Sequence, residues 1–318
     1  MPRGERRTRE SRPSGRAGLR RPRGVDWIGH AGLAVSRPGG APDRLALARA
    51  LRIRPEWLEL DVCVAADGTL VLHHDIRLTS GPPVSALDVA ALRRAHPDLL
   101  TLDEGVEQLA GRLRLLIDIK TDRAAGPLGR WLAAQRDVSG FAVCTESTPA
   151  LGEVGDRDRR VAIWRSLPNV GTRLSHHAGS VIVALWSHRH PTSAARMALD
   201  VGSAIRRGVR DPYDGAVLLG GVPWRRRLPG QIRMLAAEVR ASGLCVHHWL
   251  ITPELVAAAR RLGIPVVAWT VNHPLMVRRV IRCGVDLVTT DEVEALRAAV
   301  TEDVIPRARV AAMATHNA

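Results

Sequence analysis

Residues 57–64 read WLELDVCV. In an extended strand, successive side chains point to opposite faces. Leu58, Leu60 and Val62 therefore share one face, and Glu59 and Asp61 share the other. In a barrel the wholly apolar face packs on the surrounding helices, so the two carboxylates point inward. RLLIDIK (114–120) repeats the pattern: Leu115, Ile117 and Ile119 face outward, and Asp118 and Lys120 face inward beside the first pair.

Working outward from these two segments, short apolar runs alternate with segments of helical period. VDWIGH (25–30), FAVCTE (141–146), RVAIWRS (160–166), GLCVHHW (243–249), IPVVAWTV (264–271) and DLVTT (286–290) read as further strands. Several are almost continuously apolar, like strands of a parallel sheet covered on both faces. Pro42–Leu51 carries Leu45, Ala48 and Leu51 at helical spacing. Thr101 and Glu104 form a capping-box pattern. Thr252-Pro253-Glu254 supplies an N-cap, a proline at the first helical position and an acid in the first turn, and that helix stops at Gly263. Another runs from about His273 to Gly284.

Eight strand–helix repeats predict an α/β chain folded as a (β/α)8 TIM barrel. The competing reading is an open doubly wound sheet, but no G-x-G-x-x-G follows the first strand, which argues against its dinucleotide-binding form. Residues 168–240 are expected to be an insertion near the mouth, with an extra strand at 180–186 and a turn-rich DPYDG at 211–215. The organisation expected is a disordered Arg-rich tail (1–24), a barrel domain (25–305) and a frayed C-terminal tail (306–318).

The 318 residues are 46% hydrophobic, enough for a sizeable core. Nine Arg and two Glu in residues 1–24 give +7, half of the net charge of +14. Such a tail suits an anionic membrane surface, or serves only as a solvated extension. It lacks the aromatic–basic alternation of a nucleic-acid platform, which argues against nucleic acid as a partner. The four cysteines fit no disulfide or metal framework, no apolar run reaches the length of a membrane span, and the N-terminus lacks the apolar stretch of a secretory signal. The expected location is cytoplasmic, with possible peripheral membrane attachment.

Glu59, Asp61 and Asp118 inside a barrel would be costly as isolated charges. Carboxylate oxygens in such a cluster suit a hard divalent cation, Mg²⁺ or Ca²⁺; a structural salt-bridge cluster is the alternative. Of 46 cationic side chains, only Lys120 is a lysine, and it stands beside the acids. A compact ammonium there suits a phosphoryl oxygen. His30 closes the first strand. His73 and His74 follow GTLVL with opposite facing, so only one of them reaches the pocket. Two imidazoles across a phosphodiester can serve as base and acid.

GHAG (29–32), ELD (59–61), DGTLVLHHD (67–75), IDIK (117–120), AWTVN (268–272) and GVDLVTTD (284–291), in this order, resemble the glycerophosphodiester phosphodiesterase family. The resemblance spans about 25–298, with 168–240 poorly covered. It implies a TIM barrel that hydrolyses glycerophosphodiesters, as small-molecule substrates, to glycerol 3-phosphate and an alcohol with a divalent metal. By the same resemblance Glu59, Asp61 and Asp118 are metal ligands, His30 and His74 the acid–base pair with His74 as base, and Lys120 a phosphate ligand. Trp269 would line the glycerol side, or simply pack in the core. Three departures stand out, one being Pro42-Asp43-Arg44-Leu45 in place of the family's Pro-Glu-Asn-Thr. Ala31 replaces the arginine of the family's His-Arg-Gly, and the third acid is Asp118 rather than Glu. Arg44 is expected to supply the missing guanidinium. The alternatives are a lysophospholipase D-like activity on lipid phosphodiesters and a non-catalytic barrel used for binding.

Overall fold

The computed structural model describes residues 25–34, 40–79, 81–167, 212–298 and 300, with 212–224 described by backbone only. The two expected tails and the expected strand at 180–186 lie outside the described residues.

Eight parallel strands close into a barrel: β1 (Asp26–Gly29), β2 (Trp57–Val64), β4 (Arg114–Ile119), β5 (Phe141–Thr145), β6 (Ala162–Leu167), β7 (Gly243–His247), β8 (Val266–Trp269) and β9 (Leu287–Thr290). Closure comes from β1, which pairs with β9 on one side and β2 on the other. The short β3 (Leu70–Leu72) adds antiparallel to β2, and its turn at Asp67-Gly68 folds the chain back over the mouth. The open-sheet reading is thereby excluded.

Helices α1 (Arg44–Ile53), α2 (Val89–Ala95), α3 (Leu102–Leu109), α4 (Ala125–Ala133), α5 (Thr148–Arg157), α6 (Pro212–Glu238), α7 (Pro253–Arg261) and α8 (Pro274–Cys283) lie between the strands. Their starts follow the sequence. Asp43 caps α1 by accepting from the Ala46 N–H, so that helix begins two residues after Pro42. Thr101 and Glu104 exchange both capping-box hydrogen bonds. Thr252 and Pro253 open α7, and Gly284 ends α8 in the left-handed region.

The expected turn at 211–215 is corrected: Pro212 opens the 27-residue helix α6. Glycines and two interior prolines hide its period, but Leu228, Ile232, Leu235 and Val239 are buried against the barrel. From 212 onward the segment read as an insertion is thus the barrel's own crossover between β6 and β7.

Two layers of core follow from strand alternation. Leu58, Leu60, Val62, Leu115, Ile117 and Ile119 join the large core between strands and helices. Ile28, Trp57, Leu116, Trp164, Val267 and Leu287 fill the barrel's interior. The Trp57 and Trp164 rings meet there at 5.0 Å. Gly243, beside Trp164 in register, makes room for that ring: a Cβ would stand 2.6 Å from it. This plug closes the lower barrel, so the polar interior positions above it collect at the C-terminal mouth, where active sites of this architecture lie. Among the described residues, no helix is long and apolar enough to cross a membrane.

Candidate active site

The first strand ends in an unusual turn. Ala31 (φ 47°), Gly32 (φ 62°) and Leu33 (φ 61°) are all left-handed. For a non-glycine residue this costs roughly 1–2 kcal/mol. Two contacts hold the turn. The Ala31 N–H donates to Glu59 Oε2 at 2.7 Å, and Leu33 packs into the core. Glycine at 32 is required twice, by its backbone and because a Cβ would lie 2.7 Å from that of Pro42. The turn ties β1 to the carboxylate of β2 and leaves the His30 ring at the mouth.

Asp61 and Asp118 are direct neighbours across the β2–β4 ladder, and Glu59 stands one inward position below Asp61. One carboxylate oxygen from each of the three lies within 4.8 Å of the others. That is about twice the 2.3–2.6 Å bond of a Ca²⁺ ion, the widest separation that ligands of one ion can have. Lys120 bridges two of them, with Nζ 2.8 Å from Asp61 Oδ1 and 2.8 Å from Asp118 Oδ2. Asp61 is wholly buried, and its second oxygen, Oδ2, accepts no hydrogen bond among the described residues. A buried carboxylate oxygen left without a donor is a group for which a cation is the natural partner. The donor set, all oxygen, fits Mg²⁺ or Ca²⁺.

Electrostatics divide the cluster. Burial, reinforced by Asp61, pushes the Glu59 carboxyl up to about 8. Burial acts the same way on Asp61, but the Lys120 ammonium and the two histidines outweigh it and hold Asp61 below its usual range. Burial disfavours the Lys120 charge, yet Asp118, Asp61 and Glu59 raise it well above its ordinary value. Burial also disfavours a charged His30, but Glu59, the hydrogen bond to Asp291 and Asp61 reverse this and raise it to about 9.

The His30 ring is fixed from both sides. Nδ1 lies 2.8 Å from Asp291 Oδ1, and Nε2 faces Glu59 Oε2 at 3.7 Å. The His74 ring stands edge-on to it, with centroids 6.2 Å apart, and its Nδ1 is 3.0 Å from Asp75 Oδ1. His73 points the other way: it is buried, bonds the Asp75 carbonyl through Nδ1 and meets the His96 ring. The structure therefore brings together His30, His74, Glu59, Asp61, Asp118 and Lys120.

It does not bring Arg44 to the cluster. Arg44 opens α1 in an exposed position and makes no ion pair with the acids among the described residues; its carbonyl accepts from the Gln108 amide of α3. Trp269 ends β8 at the mouth, its ring edge-on to the buried His247 at 5.1 Å. Sequence reasoning missed Asp291 as the partner of His30. Its signal was present, since it is the last residue of GVDLVTTD and directly follows the end of β9, the neighbour of β1.

Residues 45–295 match the Glycerophosphoryl diester phosphodiesterase family, a span that begins after His30 and contains the other members of the cluster. Over 293 residues the chain is 26% identical to "Probable glycerophosphodiester phosphodiesterase 2" of Mycobacterium tuberculosis, covering 86% of this chain and 92% of that one. The fold is similar to a glycerophosphodiester phosphodiesterase from Thermotoga maritima, with TM-score 0.58, 17% identity, and 87% and 98% of the two chains covered. It is also similar to an Oleispira antarctica phosphodiesterase solved in complex with the product sn-glycerol-3-phosphate, with TM-score 0.60, 15% identity, and 87% and 96% covered. The chain belongs to the glycerophosphoryl diester phosphodiesterase family and is a phosphodiester hydrolase.

Proposed function

We propose that this enzyme hydrolyses glycerophosphodiesters to glycerol 3-phosphate and an alcohol, with Glu59, Asp61 and Asp118 holding one Mg²⁺ or Ca²⁺ ion and with His74 and His30 as base and acid. The observation that carries the reading is the three-carboxylate cluster, with an unsatisfied Asp61 oxygen, set directly beneath two histidine rings. The bound cation would supply Lewis-acid neutralisation of the phosphodiester oxygens.

The chain's own groups do the rest. Lys120 has three ammonium donors; two meet Asp61 and Asp118, and the third is available to a phosphoryl oxygen. His74, half-exposed and oriented by Asp75, takes the proton from the attacking oxygen, which is water or the substrate's own glycerol hydroxyl. His30, held by Asp291 through Nδ1 and with Nε2 facing the cluster, donates to the departing alkoxide through Nε2. Trp269, which ends β8 at the mouth, is assigned to the glycerol side of the pocket.

Release of glycerol 3-phosphate from glycerophosphocholine by the full chain tests this. Activity is expected with Mg²⁺ or Ca²⁺ and is expected to fall by at least about a hundredfold in His30→Ala and His74→Ala. Equal turnover in either variant removes the two-histidine mechanism, and no turnover with any divalent ion favours a binding barrel.

Exposed apolar side chains favour a second substrate class. Leu45 at the start of α1 (76% exposed), Ile76 just after His74-Asp75 (52%) and Leu275 at the start of α8 (56%) stand on the mouth side of the barrel. An apolar rim suits a lysophospholipid, and the basic residues 1–24 suit an anionic membrane beside it. Liposome co-sedimentation with and without residues 1–24, and Leu275→Ser assayed on lysophosphatidylcholine against glycerophosphocholine, separate the two substrates.

A further inference from the structure

Asn272 lies three residues beyond the end of β8 and is exposed at the mouth. Its side chain makes three hydrogen bonds, all to the segment leaving β9. Oδ1 accepts from the Thr290 hydroxyl at 2.9 Å and from the Asp291 N–H at 3.0 Å. Nδ2 donates to Asp291 Oδ2. Asp291 uses its other oxygen, Oδ1, for His30 Nδ1 at 2.8 Å. β8, β9 and β1 are consecutive staves of the barrel, and the relay crosses all three.

We propose that Asn272 is a positioning residue that acts through Asp291 on His30, locking the Asp291 carboxylate so that it fixes the ring and the Nδ1–H of the imidazole. The inference rests on the reading of His30 as a catalytic proton donor. Thr290 is buried and its hydroxyl reaches Asn272 from below, whereas the Asp291 N–H lies at the exposed rim, where water could serve it equally well. What water does not provide is a rigid amide donor on Asp291 Oδ2, and that donor is what holds the carboxylate in one rotamer. With Asp291 held, Nδ1 must carry hydrogen to donate to it, and Nε2 faces the cluster. With Asp291 loose, the ring rotates about its side-chain torsions and Nε2 loses its aim, so turnover falls while substrate binding does not.

Two variants test this. Asn272→Ala removes all three bonds. Asn272→Asp keeps both acceptor bonds, so the loop's backbone stays satisfied, and replaces the donor to Asp291 with a second carboxylate oxygen that repels it. In the metal-free full chain, the Nδ1–H signal of His30 in proton–nitrogen NMR is read for wild type and both variants. On glycerophosphocholine with Mg²⁺, kcat and KM are read separately. The expected result is loss of the His30 Nδ1–H signal and a fall in kcat of about tenfold or more, with KM within about threefold. An unchanged Nδ1–H signal in both variants, or an unchanged kcat, overturns the assignment. If the wild type shows no phosphodiesterase activity, the functional reading fails on its own, and the NMR comparison still decides whether Asn272 orders His30.

Discussion

Lys120→Met removes the ammonium and keeps most of the stem. In the metal-free protein the Lys120 charge is the cation between Asp61 and Asp118, 2.8 Å from each, and Asp61 is wholly buried. Exposed pairs of this kind would be worth under about 1 kcal/mol each. Breaking a buried pair by deleting one partner costs about 3–5 kcal/mol, because the remaining charge has no compensation. The larger figure applies here, since Lys120 is itself only 17% exposed. A bound divalent cation fills the same electrostatic role, so the loss should shrink when the ion is present. Binding at a thousand times the dissociation constant contributes about 4 kcal/mol by itself. The assay is urea unfolding followed by tryptophan fluorescence, in chelator and in saturating Ca²⁺ or Mg²⁺. The expected result is a loss of about 3–5 kcal/mol in chelator and a markedly smaller loss with metal. A loss under about 1 kcal/mol in chelator, or one that metal leaves unchanged, would refute the charge-balance argument.

Other perturbations probe other parts. Glu59 binds its proton more tightly in the folded chain, at about 8 against an ordinary 4.5, and so does His30, at about 9 against 6.5. The folded state thus holds more protons than the unfolded one through this range, so the metal-free protein should lose stability as pH rises from about 5 to 9; a midpoint that rises with pH contradicts this. Because Glu59 must release its proton to ligate, metal affinity should climb with pH up to about 8, with proton release seen as a buffer-dependent heat in calorimetry. Gly243→Ala puts a methyl 2.6 Å from the Trp164 ring and should cost about 1–3 kcal/mol in denaturant unfolding; no loss would mean the plug is loosely packed. Arg44→Ala should lower turnover by more than about tenfold if its guanidinium meets the phosphate, and unchanged kcat/KM would remove it from the site.

The barrel and the acidic cluster were legible because strand alternation is rigid. Once Leu58, Leu60 and Val62 faced the helices, Glu59 and Asp61 had no other direction, and Asp118 followed from the same rule on β4. Helix starts were legible where a cap is a local chemical event, as at Thr101 and Thr252. What failed was non-local or contrary to propensity. Helix α6 carries prolines and glycines inside it, so tertiary packing of Leu228, Ile232 and Leu235 overrides its local signals. The left-handed turn at Ala31–Leu33 depends on a contact with Glu59, 28 residues away. Asp291 meets His30 across 261 residues, a pairing that exists only because the barrel closes. Lys120 stands beside the acids as the strand face implies, while its simultaneous contact with Asp61 and Asp118 is set by side-chain reach, which strand alternation does not encode.

The central claim is that Glu59, Asp61 and Asp118 share one divalent ion. Calorimetric titration of the chelator-treated full chain with Ca²⁺ and Mg²⁺ tests it most directly. The account predicts one ion per chain, with binding abolished in Asp61→Asn, whose fold is checked by its melting curve. Heat of binding that persists unchanged in Asp61→Asn, or a wild-type chain that binds neither ion, would contradict it.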